Sequence, residues 1–299
     1  MKTIFALSHD CLFSLFCSLV LVVLMLVNPV TVCAMDSDFN FNILQKQLIN
    51  DKEAKFTPEQ INRIFNNPGI SFDAKGVASY FQHRESKLNY DQFLSAESIN
   101  KAKEYMNKNH AALTNVETKY GVDKEVITAI MLVETRLGTY VGNKSVLNIL
   151  STMAVLEDKT MRDKFWKEIP TENRFSREEY EKKAAKKAKW AYKELKAFIK
   201  YVEKEKMDPY TINGSYAGAM GIAQFMPSNI LWIAEDGNND GSVNLFHHED
   251  AIASIANYLK HYGWKPGISR KQAGEVVYHY NHSSYYVETV LKITDKLRS

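Results

Sequence analysis

Between Val126 and Gly138 the chain reads VITAIMLVETRLG, and a single acid, Glu134, stands among the apolar residues. Val126, Ile127, Ile130, Met131, Val133 and Leu137 recur at the spacing of a helix with one buried face. Glu134 falls on that face, one turn beyond Ile130 and Met131. A carboxyl group held against apolar side chains is disfavoured in its charged form, so its pKa should rise. An acid still protonated near neutral pH can act as a general acid. The bland alternatives are a side chain turned to water or paired with Arg136, since perturbed carboxyls also occur in structural pairs.

A second stretch carries its own signal. Asn213 to Asn229 reads NGSYAGAMGIAQFMPSN. Gly214, Gly218 and Gly221, with Ala217, Ala219 and Ala223, leave almost no side-chain bulk, so a backbone or a ligand can approach closely. Ser215 and Gln224 are the polar groups within it, and Pro227 is expected to end a helix there. A tight helix crossing would use the same small residues.

The elements that must hold these residues are mostly helical. Thr57-Pro58-Glu59-Gln60 reads as an N-cap, a proline at the first helical position and a first-turn carboxylate. Asn66-Asn67-Pro68-Gly69 stops that helix. Ser95 to Asn107 opens another helix, which continues past a bend to Tyr120, with Gly121 closing it. Asp123 is expected to cap the Glu134 helix. Asn148 to Glu157 is a second apolar helix, and Trp190 to Val202 restores helical spacing. Between them, residues 158–189 are heavily charged. Lysines 182, 183, 186, 187 and 189 there read as a solvated helix face or as a basic rim for an anionic polymer. No repeat, heptad array or strand-rich block interrupts this reading.

The totals set bounds. The chain has 299 residues, 45% hydrophobic and 24% charged, as a soluble globular protein does. With 38 basic against 35 acidic residues it is not a strongly basic nucleic-acid binder. Cys11, Cys17 and Cys33 all precede residue 34, so removal of that segment leaves no thiol for catalysis, metal ligation or disulfides. Lys2, the apolar run Cys11 to Val27 and the small-residue pattern Val32-Cys33-Ala34 form a leader cleaved after Ala34. An uncleaved anchor is the alternative. Lipid attachment at Cys33 fits less well, because Val32 stands where a lipoprotein signal has a small residue.

Three motifs in order, ETRLG (Glu134 to Gly138), GSYAGAMGIAQFMPS (Gly214 to Ser228) and YNHSSYYVETV (Tyr280 to Val290), resemble the lytic murein transglycosylase B family. The likeness runs from about Phe39 to the end. It implies a mostly α fold with a lysozyme-like core of the goose type, acting on peptidoglycan. By position, Glu134 would match the family's single catalytic acid. Ser215, Gln224, Tyr280 and Asn281 would match residues lining its sugar cleft. Arg162 would correspond to a substrate-contacting arginine, although 158–189 reads as an insertion. Leu137 stands where an aromatic residue is often found.

Asp236 to Asp250 reads DGNNDGSVNLFHHED. Asp236, Asn238 and Asp240 occupy the first, third and fifth positions of an EF-hand loop, with Gly241 at the sixth. The twelfth position holds His247 rather than Glu. Asp250 from the following helix can replace it, as in the resembling family, and Ser242 offers its backbone carbonyl. The loop is separate from the Glu134 motif, so bound Ca²⁺ would be structural; an ordinary Asn/Asp/Gly turn is the alternative. His247 and His248 lack zinc spacing and are expected to face solvent.

The expected organisation is a leader or anchor at 1–34, a mainly helical region at 35–108 and a catalytic core at 109–299. The core carries the charged insertion 158–189 and the loop 236–250. The expected activity is cleavage of the β-1,4 bond between N-acetylmuramic acid and N-acetylglucosamine, with formation of a 1,6-anhydro sugar. No second acid sits in a setting like that of Glu134, whereas most glycoside hydrolases use two. One suffices if the substrate's own C6 hydroxyl is the nucleophile, as the resemblance implies. A hydrolytic muramidase and a wall-binding module without turnover are the competing readings. No cofactor is needed for the chemistry. The expected partner is the peptidoglycan strand, not nucleic acid, for an exported, periplasmic monomer with membrane association through its leader.

Overall fold

Helical periodicity organises the chain from Asn42 onward. The computed structural model describes residues 39–82, 89–170 and 176–299. The leader expected at 1–34 lies outside them. Phe39–Ser299 forms one unit. Its elements are α1 (Asn42–Asn50), α2 (Pro58–Phe65), α3 (Ala74–Gln82), α4 (Ala96–Lys108), α5 (His110–Tyr120) and α6 (Lys124–Thr135). Then come β1 (Lys144–Ser145), α7 (Val146–Val155), α8 (Lys159–Glu168), α9 (Arg177–Lys204), β2 (Asn213–Gly214) and α10 (Pro227–Ile233). The last elements are α11 (His248–His261), α12 (Arg270–Tyr280) and α13 (Ser284–Arg298).

Two of these helices are apolar on nearly every side, which obliges them to lie inside. α6 buries every residue from Val126 to Leu132, and α7 is buried along its whole length. α13 covers α6, and the 28-residue α9 covers α7. Each fully buried leucine or isoleucine at this seam contributes about 1.5–3 kcal/mol relative to exposure.

Several polar groups inside this core are paired, as burial generally requires, Ser151 Oγ of α7 being an exception. The Asn148 amide of α7 donates to Ser71 Oγ (2.9 Å) and accepts from the Ser71 N–H (3.1 Å), and Thr152 Oγ1 accepts from the Asp73 N–H (2.9 Å). The loop before α3 is thereby fixed on α7. Buried Glu194 of α9 accepts from both the N–H and the hydroxyl of Ser228 (2.9 Å each). That carboxylate caps the start of α10, where helix dipole and open N–H groups favour negative charge.

Several start and stop signals act as read. Thr57 and Gln60 form a capping box with Pro58 at the first position. α4 and α5 break at Asn109, and Gly121 (φ 69°) ends α5 in the left-handed conformation. Two signals act otherwise. Asp123 precedes α6 but its side chain does not cap it; the carboxylate accepts from Trp264 Nε1 (3.0 Å) and pairs with Arg298 (3.2 Å). Pro227 opens α10 rather than ending a helix, and residues 215–226 form turns instead. A missing N–H costs nothing at a first helical position. The lysine-rich stretch is the first half of α9, with Tyr180, Ala184, Ala188 and Ala191 on its buried side.

Candidate active site

Glu134 is the penultimate residue of α6, and the backbone turns sharply behind it. Arg136 (φ 50°) and Leu137 (φ 62°) are left-handed, followed by Gly138 (φ 87°). Non-glycine residues pay about 1–3 kcal/mol each for such conformations, and hold them only where surrounding bonds enforce them. Here the N–H groups of Arg136 and Leu137 donate to Leu132 O (3.0 Å) and Met131 O (2.9 Å). Thr135 Oγ1 donates to Ile222 O (3.0 Å) and accepts from the Gly138 N–H (3.0 Å). The turn thus locks the end of α6 onto the glycine-rich segment.

That segment is held by close backbone packing. Met220 bridges to both Gly214 and Phe225, and β2 pairs antiparallel with β1. A Cβ at Gly214 would sit 2.2 Å from Ala219 O, and one at Gly142 2.1 Å from Gly214 O. The small residues therefore serve backbone approach. Ser215 Oγ accepts from the N–H groups of Ala217 (3.2 Å) and Ala219 (3.1 Å), which keeps its hydroxyl proton for donation. Gln224 (φ 49°) donates from its amide to Val141 O (3.0 Å) and Gly221 O (2.8 Å); its amide oxygen takes no hydrogen bond from the described residues.

Half-buried Glu134 faces a wall of tyrosines. Tyr280 donates to Ala223 O (2.5 Å), and its ring lies parallel to that of Tyr286, centroids 6.4 Å apart. The Tyr286 hydroxyl is wholly buried and makes no hydrogen bond of ordinary geometry with the described residues; of the charges acting on it, that of the Glu134 carboxylate is the largest. Burial, and after it the Glu134 charge, hold both phenols well above their ordinary pKa. Both hydroxyls therefore remain protonated donors. Tyr258 packs against Tyr280 (5.1 Å) and Phe225 (5.5 Å) behind them. Asn281 closes α12, and its side-chain amide makes no hydrogen bond with the described residues.

Sequence reasoning placed Glu134, Ser215, Gln224, Tyr280 and Asn281 in one site. The structure ties Glu134, Gln224 and Tyr280 through residues 222–224, and Ser215 through the bridges around Met220. Arg162 is committed elsewhere: Nε pairs with Glu181 (2.9 Å), and Nη1 donates to Leu156 O (2.9 Å) and Glu157 O (2.6 Å). The cation beside the Ser215 turn is Lys187 of α9. Its ammonium donates to the Tyr80 hydroxyl and lies 4.0 Å from the Tyr80 ring centroid. Tyr80 in turn meets Tyr216, the neighbour of Ser215, at 5.9 Å. Lys187 has no carboxylate partner among the described residues, and burial draws its pKa below the usual lysine value. Tyr286 and Thr135 were also missed. Tyr286 follows Tyr280 by six residues across a helix break, a spacing without meaning until the turn is built.

The profile of the Transglycosylase SLT domain family matches residues 43–274. The chain belongs to that family. This SLT-domain chain is 31% identical over 176 residues to "Membrane-bound lytic murein transglycosylase B" of Escherichia coli, across 59% of its own length and 41% of the relative's. It thus spans less than half of that curated relative. Its fold matches the soluble lytic transglycosylase SltB1 of Pseudomonas aeruginosa (TM-score 0.69, 22% identity, 86% of this chain and 97% of that one). It also matches the Escherichia coli lytic transglycosylase Slt35 in complex with calcium (TM-score 0.68, 21% identity, 89% and 94%). The mostly α, lysozyme-like architecture expected from the sequence is thereby shown.

In the acidic loop of this SLT-domain chain, Asp236 accepts from the N–H groups of Asp240 (3.2 Å) and Gly241 (2.8 Å), and Asp240 from that of Ser242 (2.9 Å). Asp250 is fully buried, with the N–H groups of Gly237 (2.9 Å) and Asn244 (2.7 Å) on its oxygens, and burial raises its pKa. No lysine or arginine neutralises Asp236, Asp240 or Asp250 among the described residues. An all-oxygen set with three uncompensated carboxylates fits a hard cation. The acids that do converge within 4.8 Å are Glu117, Asp123 and Glu125. They are met by Lys124 and Arg298, as ordinary ion pairs are. His248 is half-buried rather than solvent-facing; Nδ1 meets the Tyr105 hydroxyl at 2.8 Å, and burial lowers its pKa.

Proposed function

We propose that this protein is a peptidoglycan lytic transglycosylase with Glu134 as its one acid–base group. The observation that carries the reading is the Glu134 carboxyl at the strained end of α6, against the Tyr286 and Tyr280 hydroxyls and tied through Thr135 to the segment holding Gln224. Family membership and the lytic transglycosylase name of the curated relative support it.

In this scheme Glu134 protonates the glycosidic oxygen between N-acetylmuramic acid and N-acetylglucosamine, and the bond to the muramic C1 breaks. The resulting carboxylate takes the proton of the C6 hydroxyl, whose oxygen bonds to C1. The product is a 1,6-anhydro sugar, and no water is consumed. Tyr286, whose protonated hydroxyl is buried beside the carboxyl, would stabilise the carboxylate form of Glu134 between the two proton transfers. Ser215, with its hydroxyl proton still available, suits an acetamido oxygen, and the free ends of Gln224 and Asn281 orient sugar hydroxyls. Two wholly buried acids, Glu194 and Asp250, are spent on Ser228 and on the acidic loop, which favours a one-acid mechanism.

For the acidic loop we propose structural Ca²⁺, held by Asp236, Asn238, Asp240, the Ser242 carbonyl and Asp250. It would offset two of the three negative charges there. We also place the mature protein outside the cytoplasm, with 1–34 as leader or anchor. Among the described residues no helix is long and apolar enough to cross a membrane.

The test is product analysis of sacculi digested with wild type and Glu134→Gln. The expected result is products ending in 1,6-anhydro sugars, one water lighter than hydrolytic ends, released by the variant at a rate lower by about a hundredfold or more. Hydrolytic ends from wild type would favour the muramidase reading.

A further inference from the structure

A continuous path of ring contacts leads from the Glu134 site to the protein surface. Tyr280, beside the acid, packs on Tyr258 (5.1 Å), and Tyr258 packs on Tyr262 (4.8 Å). Tyr262 stacks on His279 at 4.2 Å and 15°. On its other side it meets His261 (5.0 Å), whose ring is met edge-to-face by Trp232 (4.6 Å, 81°). Trp232 at the end of α10 is 53% exposed, and His261 and His279 are exposed as well. An exposed tryptophan flanked by further exposed rings makes a contiguous patch of the kind that marks a binding surface.

The chemistry of the cluster selects among ligands. It has one aliphatic member, Leu231 (41% exposed), while its other rings carry ring nitrogens or a phenol at their rims. A lipid surface would call for several exposed aliphatic neighbours, and here Leu231 stands alone. A pyranose offers what these rings can use: an apolar face of C–H groups for stacking, and hydroxyl and acetamido groups around its edge for the imidazoles.

We propose that Trp232 and His261, with Tyr262 and His279 behind them, form a platform for the glycan strand beyond the bond being cut. It would bind N-acetylated hexosamine units that the Glu134 site itself does not touch. The platform rests on the glycan-strand reading above and extends it. It makes the protein favour long strands, because only these reach both the acid and the outer rings.

The experiment compares the full chain with Trp232→Ala, His261→Ala and the ring-retaining Trp232→Phe. Binding is read by co-sedimentation with sacculi in a Glu134→Gln background, and turnover on sacculi and on a short muropeptide substrate. Trp232→Ala and His261→Ala should each weaken sedimentation and raise KM on sacculi about three- to tenfold, the range of one aromatic contact. Turnover of the short substrate and the thermal midpoint should not change, and Trp232→Phe should restore most of the loss. Unchanged sedimentation in both alanine variants overturns the platform, as does an equal loss on the short substrate. Because sedimentation needs no turnover, wild type releasing no anhydro ends would sink the proposed reaction without touching this result.

Discussion

The Thr135 hydroxyl donates to the Ile222 carbonyl at 3.0 Å, and that one bond joins the end of the Glu134 helix to the segment carrying Gln224. The same oxygen accepts from the Gly138 N–H, so the strained turn behind Glu134 and the glycine-rich segment share a single anchor. Thr135→Val keeps the shape and removes the donor. It leaves a buried carbonyl and an N–H unpaired, which costs about 1–3 kcal/mol. The thermal midpoint should fall accordingly, and kcat should fall further than KM rises, because the acid is misplaced rather than the sugar released.

Glu134→Gln should lower turnover on sacculi by about a hundredfold or more, the usual worth of a general acid–base group. The glutamine is isosteric, so sedimentation with sacculi and the circular dichroism spectrum should stay as in wild type. Activity within a few-fold of wild type would remove Glu134 from the mechanism.

Gly214→Ala should be among the costliest small substitutions in the chain. The new methyl carbon would fall 2.2 Å from Ala219 O, a backbone atom that cannot rotate away. The expected loss is about 3 kcal/mol or more, visible as a drop in the urea midpoint. Gly263→Ala, with no heavy atom within 4 Å of its added carbon, offers the control for left-handed strain alone (φ 103°).

Acid should release one long-range tie. The Lys196 ammonium (2.7 Å), together with the Ala54 N–H and the Tyr192 hydroxyl (3.0 Å), holds Asp51 down at about 2. A depressed carboxylate pKa contributes stability that is present above the unfolded value near 4 and is lost as pH falls toward 2. The contribution is about 1–2 kcal/mol, and Asp51→Asn should flatten the stability curve over that window. If Asp51→Asn and wild type lose stability in parallel between pH 5 and 2, the tie is not what acid breaks.

Calcium should raise the thermal midpoint if the acidic loop holds it. At a hundredfold excess over Kd the gain is about 2.7 kcal/mol. Asp250→Asn should abolish the difference between calcium and chelator. Identical midpoints in both conditions for wild type would leave the loop an ordinary turn.

Much of the arrangement was legible in the amino-acid sequence because it depends on local chemistry. Apolar runs with no polar face, as at Val126 to Leu132, can only be interior helices, and Thr57-Pro58 can only begin one. The lone acid in such a run singled out a candidate. Local signals misled where a distant group competed. Asp123 abandons its helix because Trp264 and Arg298 offer its carboxylate better partners. His248 is taken by Tyr105. Pro227 reads equally as a stop or a start until the Glu194 carboxylate is found capping α10.

The chain's own pattern thus determined which helices lie inside, which acid could do chemistry and which stretch had to be free of bulk. Tertiary structure alone decided what surrounds that acid. Tyr286 and Tyr280 become parallel neighbours only because the turn at Asn281–Ser283 folds α13 back along α12. Lys187 comes beside the Ser215 turn only because α9 runs unbroken over α7. Periodicity reports how a residue sits on its own helix; which residues of other helices it meets is set by how the helices pack.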